Sequence, residues 1–82
     1  MGCERLLNAK RKVAGKKETL RALENGKLRT LFIARDADDF VVQDLEDIAA
    51  QKDVKVVKVE TMEELGKACN LDVGSSSAGI LQ

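Results

Sequence analysis

Residues Thr30 to Val59 read TLFIARDADDFVVQDLEDIAAQKDVKVVKV. The stretch opens on a short apolar run, Thr30 to Ala34, which has the length and composition of a buried strand. Asp38 and Asp39 follow. A carboxylate at that point accepts hydrogen bonds from unpaired backbone N–H groups and suits the positive end of a helix dipole. A helix is therefore predicted from there to about Lys52, with Val41, Val42, Leu45, Ile48 and Ala49 on one face. Val54 to Val59 is rich in β-branched residues and reads as a second strand. The unit is strand, helix, strand.

The flanks extend the same alternation. Upstream, Lys17 to Asn25 carries Leu20 and Leu23 on one side and ends at Asn25-Gly26, a helix C-terminal signal. Before it, Cys3 to about Val13 places Cys3, Leu6, Leu7 and Val13 near helical spacing, and Gly15 marks a break. Downstream, Thr61 and Glu64 form a capping box that opens a helix through Cys69, with Met62, Leu65 and Cys69 on its apolar side. Asp72 to Ser77 is a small polar loop, and Ala78 to Leu81 reads as a final strand. The order is helix, helix, strand, helix, strand, helix, strand. Helices alternating with strands imply an α/β layered domain whose helices cover the sheet. The chain is too short for a full doubly wound nucleotide fold.

Composition narrows the function. With 82 residues, the chain has room for one domain, residues 1–82, and buries roughly 60–65% of its surface on folding. Histidine is absent, which removes triads, imidazole bases and His-bearing metal sites. Phe32 and Phe40 are the only aromatics, so a stacking platform for single-stranded nucleic acid is not expected. Cys3 and Cys69 form neither a zinc site nor a redox pair. With no apolar stretch for export or membrane insertion, both are expected to be reduced thiols of a cytoplasmic protein. Cys69 reads as a small core residue; nothing in the sequence assigns Cys3 a role.

A net charge of zero conceals a split. Residues 1–35 hold ten basic and three acidic side chains and residues 36–82 hold four and eleven, so the halves carry +7 and −7. Such asymmetry fits a polyanion-binding face, and equally two complementary halves packed together.

The densest chemical signal is Gly15-Lys16-Lys17-Glu18-Thr19-Leu20-Arg21. Gly15 lets backbone approach a ligand, and the helix start that follows offers unpaired N–H groups. Lys17 and Arg21 stand four residues apart and project from one face, a phosphate-facing edge. Glu18 fits pure phosphate binding poorly. Either it accepts hydrogen bonds from base edges such as guanine N–H groups, or it only balances the helix dipole in the first turn. A Walker loop is excluded, because Lys10 stands where its first glycine would be and Lys17 where its hydroxyl would be. Asp36-Ala37-Asp38-Asp39 lacks the rest of a calcium loop and reads as capping. Ser75-Ser76-Ser77 has no base beside it in sequence, so no nucleophile is expected there.

These residues resemble a known family. The carriers are Gly15 to Leu23, Ile33-Ala34-Arg35-Asp36-Ala37-Asp38, Glu64-Leu65-Gly66-Lys67-Ala68-Cys69 and Val73-Gly74-Ser75-Ser76-Ser77-Ala78, four pieces in order across nearly the whole chain. Together they are similar to the small ribosomal kink-turn-binding proteins of large-subunit and small nucleolar particles, most nearly the short bacterial YbxF-like members. The resemblance implies a three-layer α/β/α sandwich around a four-stranded mixed sheet. It also implies binding to kink-turn RNA, a duplex bent at a three-nucleotide bulge followed by sheared G·A pairs. By that resemblance Lys17 and Glu18 read guanine edges, Gly15 and Lys16 lie against the RNA backbone, and Arg21 holds a guanine or a phosphate. The loop Val73, Gly74, Ser75, Ser76 to Ser77 covers the bulge nucleotide, with Asp38 and Val42 near it. Three positions depart from the usual pattern. Lys17 stands where many relatives have asparagine, Asp39 replaces a proline, and Asn70 replaces a glycine while still able to form a left-handed cap. The loop is serine-rich where relatives are apolar, so replacing Ser75 or Ser76 with valine or isoleucine is expected to leave binding unchanged or tighten it.

The expectation is a non-catalytic, monomeric RNA-binding module without cofactor or metal, whose partner is structured RNA and in one setting the ribosome. The competing class is a protein-interaction domain of the same fold that has lost its RNA site. No acid–base pair or nucleophile constellation supports an enzyme.

Overall fold

A computed structural model describes residues 4–82; Cys3 lies outside them. In chain order the elements are α1 (Glu4–Asn8), β1 (Lys12–Ala14), α2 (Lys16–Glu24), β2 (Leu28–Ala34), α3 (Asp39–Gln51), β3 (Lys55–Val59), α4 (Met62–Ala68) and β4 (Ser77–Leu81). The strands form one mixed sheet in the order β1-β4-β2-β3. β4 pairs antiparallel with both β1 and β2, and β3 lies parallel to β2. α2 packs against α3, and α1 against α4, so the two helix pairs sandwich the sheet in three layers.

The apolar run at the heart of the sequence is the centre of the core. Leu31, Phe32, Ile33 and Ala34 of β2 are all at most 1% exposed, as befits a strand covered on both faces. Leu45 and Ala49 of α3, Leu23 of α2, Leu6 of α1 and Leu65 of α4 close over it and are fully buried. Caps occur where the sequence places them. Asp38 Oδ1 accepts from the Phe40 N–H at 3.1 Å, and Thr61 Oγ1 from the Glu64 N–H at 3.1 Å. Asn70, at φ 62°, supplies the left-handed turn after α4. Cys69 is half-buried against the core.

The helix predicted from Cys3 to Val13 is corrected. Among the described residues it is helical only to Asn8, and Lys12 to Ala14 form a strand, with Val13 opposite Gly79 of β4. The Lys12 ammonium explains the turn between them. It donates to the Leu6 and Leu7 carbonyls at 3.2 and 3.1 Å and to the Ala68 carbonyl at 3.3 Å. One cation thus satisfies carbonyls at the C-terminal ends of α1 and α4, where a positive charge is favoured. β2 also begins two residues earlier than read, because Leu28 pairs with Leu81.

Candidate nucleic-acid interface

Strand directions decide where the helices begin. β3 is parallel to β2, and β1 is parallel to it through two antiparallel pairings with β4. The carboxyl ends of β1, β2 and β3 therefore lie at one end of the sheet, and α2, α3 and α4 start there. Ligands of open α/β sheets bind outside the carboxyl ends of the strands, and each helix start there presents roughly half a positive charge.

The three helix starts differ. α3 is capped by Asp38 and has Asp39 in its first turn. α4 is capped by Thr61, has Glu63 and Glu64 in its first turn, and its Met62 N–H donates to Asp36 Oδ1 at 2.8 Å. α2 has no capping side chain. Its cap is Gly15, and Lys16 and Lys17 open its first turn. Of the three, only α2 lacks a side-chain cap among the described residues, and its first turn combines Lys16 and Lys17 with Glu18. Gly15 has φ 88° and ψ 153°, a region that side chains beyond glycine scarcely enter. A Cβ there would meet nothing within 4 Å, so conformation, not crowding, selects glycine.

Two loops lock this helix start in place. The Gly15 N–H donates to the Ser77 carbonyl at 2.9 Å and to Ser75 Oγ at 3.2 Å. Ser75 Oγ in turn donates to the Ser77 carbonyl at 2.6 Å. The Ser75 N–H donates to the Met62 carbonyl at 3.0 Å, and the Ala34 N–H to the Ser76 carbonyl at 3.0 Å. Segments 15–21, 35–38 and 73–77 are thereby joined at one end of the sheet. Gly66 keeps the last of them close, because a Cβ on it would collide with the Val73 carbonyl oxygen.

Within this arrangement Lys17, Glu18 and Arg21 are exposed. Glu18 and Arg21 line a shallow cavity with Val13, Asn25 and Lys27. Glu18 has no ion pair within 4.0 Å among the described residues, so its acceptors are available despite the cations around it. Lys16 is more constrained, pairing with Asp44 of α3 at 3.3 Å. Asp38 is exposed but has one carboxylate oxygen taken by its cap. Val73 is 70% exposed and Gly74 borders the same shallow depression as Asp36 and Met62.

Two residues expected at the surface are not there. Val42 is 3% exposed; it faces the core from α3 and supports the region from beneath. Ser75 is 5% exposed, and its hydroxyl bridges two main-chain groups, so it is no dispensable surface serine. Thr19 Oγ1 and Ser77 Oγ are buried without hydrogen-bond partners among the described residues.

Residues 3–82 match the ribosomal protein L7Ae/L30e/S12e/Gadd45 family. The chain belongs to that family. It is 38% identical over 82 residues, the whole of both chains, to the RNA-binding protein YbxF of Geobacillus stearothermophilus. It is 41% identical over 68 residues to the large ribosomal subunit protein eL8 of Halobacterium salinarum, covering 82% of this chain and 57% of that one. The structure of a Giardia lamblia 15.5kD RNA binding protein superposes with TM-score 0.85 at 28% identity, covering 98% of this chain and 68% of that one.

In this member of the L7Ae/L30e/S12e/Gadd45 family, Leu7, expected on the apolar side of the first helix, is 51% exposed, and a larger apolar side chain stands further out. Phe40, in the first turn of α3, is 88% exposed. The apolar face of that helix is complete without it, which was the available signal. No helix among the described residues is long and apolar enough to cross a membrane.

Proposed function

We propose that this member of an RNA-binding family recognises kink-turn RNA and stabilises its bent form. The observation that carries the reading is the uncapped start of α2. It presents Lys17 and Arg21 for phosphates and an unneutralised Glu18 for base N–H donors, and it is tied through Gly15 to the 73–77 loop. A site for phosphate alone has no use for Glu18; a site that reads guanine edges between phosphates does. Gly15 and Lys16 lie against the RNA backbone in this reading, with Lys16 sharing its charge with Asp44. Val73, Gly74 and the backbone of Ser76 cover the bulge nucleotide, beside the exposed edge of Asp38. Ser75 and Val42 act as supports of that surface.

Binding prefers the bent state and therefore shifts the RNA toward it. The protein acts as a cytoplasmic monomer, and ribosomal RNA is the first natural source of the motif to test. The deciding experiment is a gel shift on a kink-turn duplex beside the same duplex with its G·A pairs replaced. At least tenfold tighter binding to the intact motif is expected. Equal affinity for both would reject kink-turn recognition, and binding to neither would favour the protein-interaction alternative.

A further inference from the structure

A second cationic surface lies at the other end of the sheet. Arg5 of α1, Lys10 and Arg11 ahead of β1, and Arg29 of β2 line one shallow cavity together with Asn8 and Gln82. The four cations are exposed, and no aspartate or glutamate lines the cavity. None of the four has an aspartate or glutamate side chain within 4.0 Å among the described residues; the ion pairs there engage Lys16, Arg35 and Lys58 instead. The backbone presents them deliberately. The register between β2 and β4 shifts between Leu28 and Thr30, and Arg29 sits in that irregularity. Arg11 is oriented by donating from Nη1 to the Gln82 main-chain oxygen at 3.1 Å.

The placement indicates what this surface serves. Arg11 precedes Gly15 by four residues of largely extended chain, about 13 Å at the roughly 3.3 Å rise of a strand. Leu81 borders both this cavity and the one that holds Glu18, Arg21 and Lys27. Cations therefore continue from α2 around the β1 edge to the far end of the sheet. We propose that Arg5, Lys10, Arg11 and Arg29 form a second phosphate-binding surface that grips a duplex arm of the RNA beyond the kink. Four exposed cations on one surface suit a duplex, which offers regularly repeated phosphates, and the absence of aspartate and glutamate from the lining suits a partner with no cations of its own. This deepens the kink-turn reading, and the test separates the two.

Three RNAs serve as probes: a plain duplex, a kink-turn with minimal arms, and the same kink-turn with one arm about ten base pairs longer. The variant is Lys10→Gln with Arg29→Gln, whose side chains are exposed and outside the core; its melting temperature checks the fold. Wild-type protein is expected to bind the long-armed RNA several-fold more tightly than the minimal one. The variant loses that advantage, and its plot of log affinity against log salt flattens by about one unit per removed phosphate contact, on long-armed RNA and plain duplex alike. Its affinity for the minimal kink-turn stays unchanged. Unaltered salt slopes on every RNA would overturn the second surface and assign the patch to a partner other than RNA. An equal loss on the minimal RNA would overturn it too, by merging the patch with the first site. If wild-type protein ignores the kink while the variant still loses duplex affinity, the kink-turn reading fails and the second surface stands.

Discussion

Single residues at the end of the sheet separate reading from support. Glu18 makes the sharper prediction, because removing it raises the net positive charge near α2. Glu18→Ala is expected to weaken binding to intact kink-turn RNA by on the order of 1–3 kcal/mol, borrowing the scale of a lost base contact in duplex readout. Calorimetric titration with and without the G·A pairs checks it; tighter binding would show that Glu18 only repels phosphate. Ser75 behaves differently. Its hydroxyl accepts from the Gly15 N–H and donates to the Ser77 carbonyl; these two groups also bond each other at 2.9 Å, so Ser75→Ala removes two hydrogen bonds without orphaning either, at about 0.5–1.5 kcal/mol each. Urea unfolding of Ser75→Ala beside Ser76→Ala should find the loss in the first only. A fall in RNA affinity accompanies it, because the loosened residue is the tie that sets Gly15.

Elements show what was legible before any coordinates and what was not. The strand–helix–strand unit from Thr30 to Val59 was readable because its signals are local: an apolar run, an aspartate cap, a β-branched run. β1 was not. Lys12-Val13-Ala14 is too short to show alternation, and Val13 falls where a continuing helix would also place an apolar residue. Its strand state comes from pairing with Gly79, 66 positions later, which no window of sequence contains. The resemblance supplied the fourth strand that the residues alone did not. In the site, the α2 start was legible from Gly15 and its charges, whereas the burial of Val42 and Ser75 depends on how three loops meet. Gly15 links both levels. Gly15→Ala forces a side chain into a φ of 88° and is expected to destabilise by about 1–3 kcal/mol. Because a Cβ has open space there, circular dichroism should report a folded protein with a shifted α2 start, and RNA affinity should fall more than stability does.

At the scale of the molecule, a small domain with modest stability responds strongly to any ligand of the native state. A ligand at one hundred times its Kd adds about 2.7 kcal/mol, and each kcal/mol moves Tm by roughly 4–8 °C in a domain this size. Saturating kink-turn RNA is therefore expected to raise Tm by more than 10 °C, and RNA lacking the G·A pairs at the same concentration far less. Differential scanning fluorimetry reads both. Matching shifts would mean that charge alone supplies the affinity. The even division of +7 and −7 between the halves sets the background for that measurement, since the acidic first turns of α3 and α4 repel phosphates at their own end of the sheet and favour approach along α2.

The strand order β1-β4-β2-β3 carries a consequence for the history of each molecule. β4 follows every other element in the chain, yet it lies between β1 and β2 and supplies the Ser77 carbonyl that Gly15 needs. On a translating ribosome, β1 and β2 emerge with an empty place between them, and the start of α2 has no anchor until β4 is delivered. A nascent chain therefore has its lysines but not its binding geometry. If the proposed site is the one that reads RNA, specific recognition waits for this strand, and partly made chains do not compete with finished protein for the same RNA.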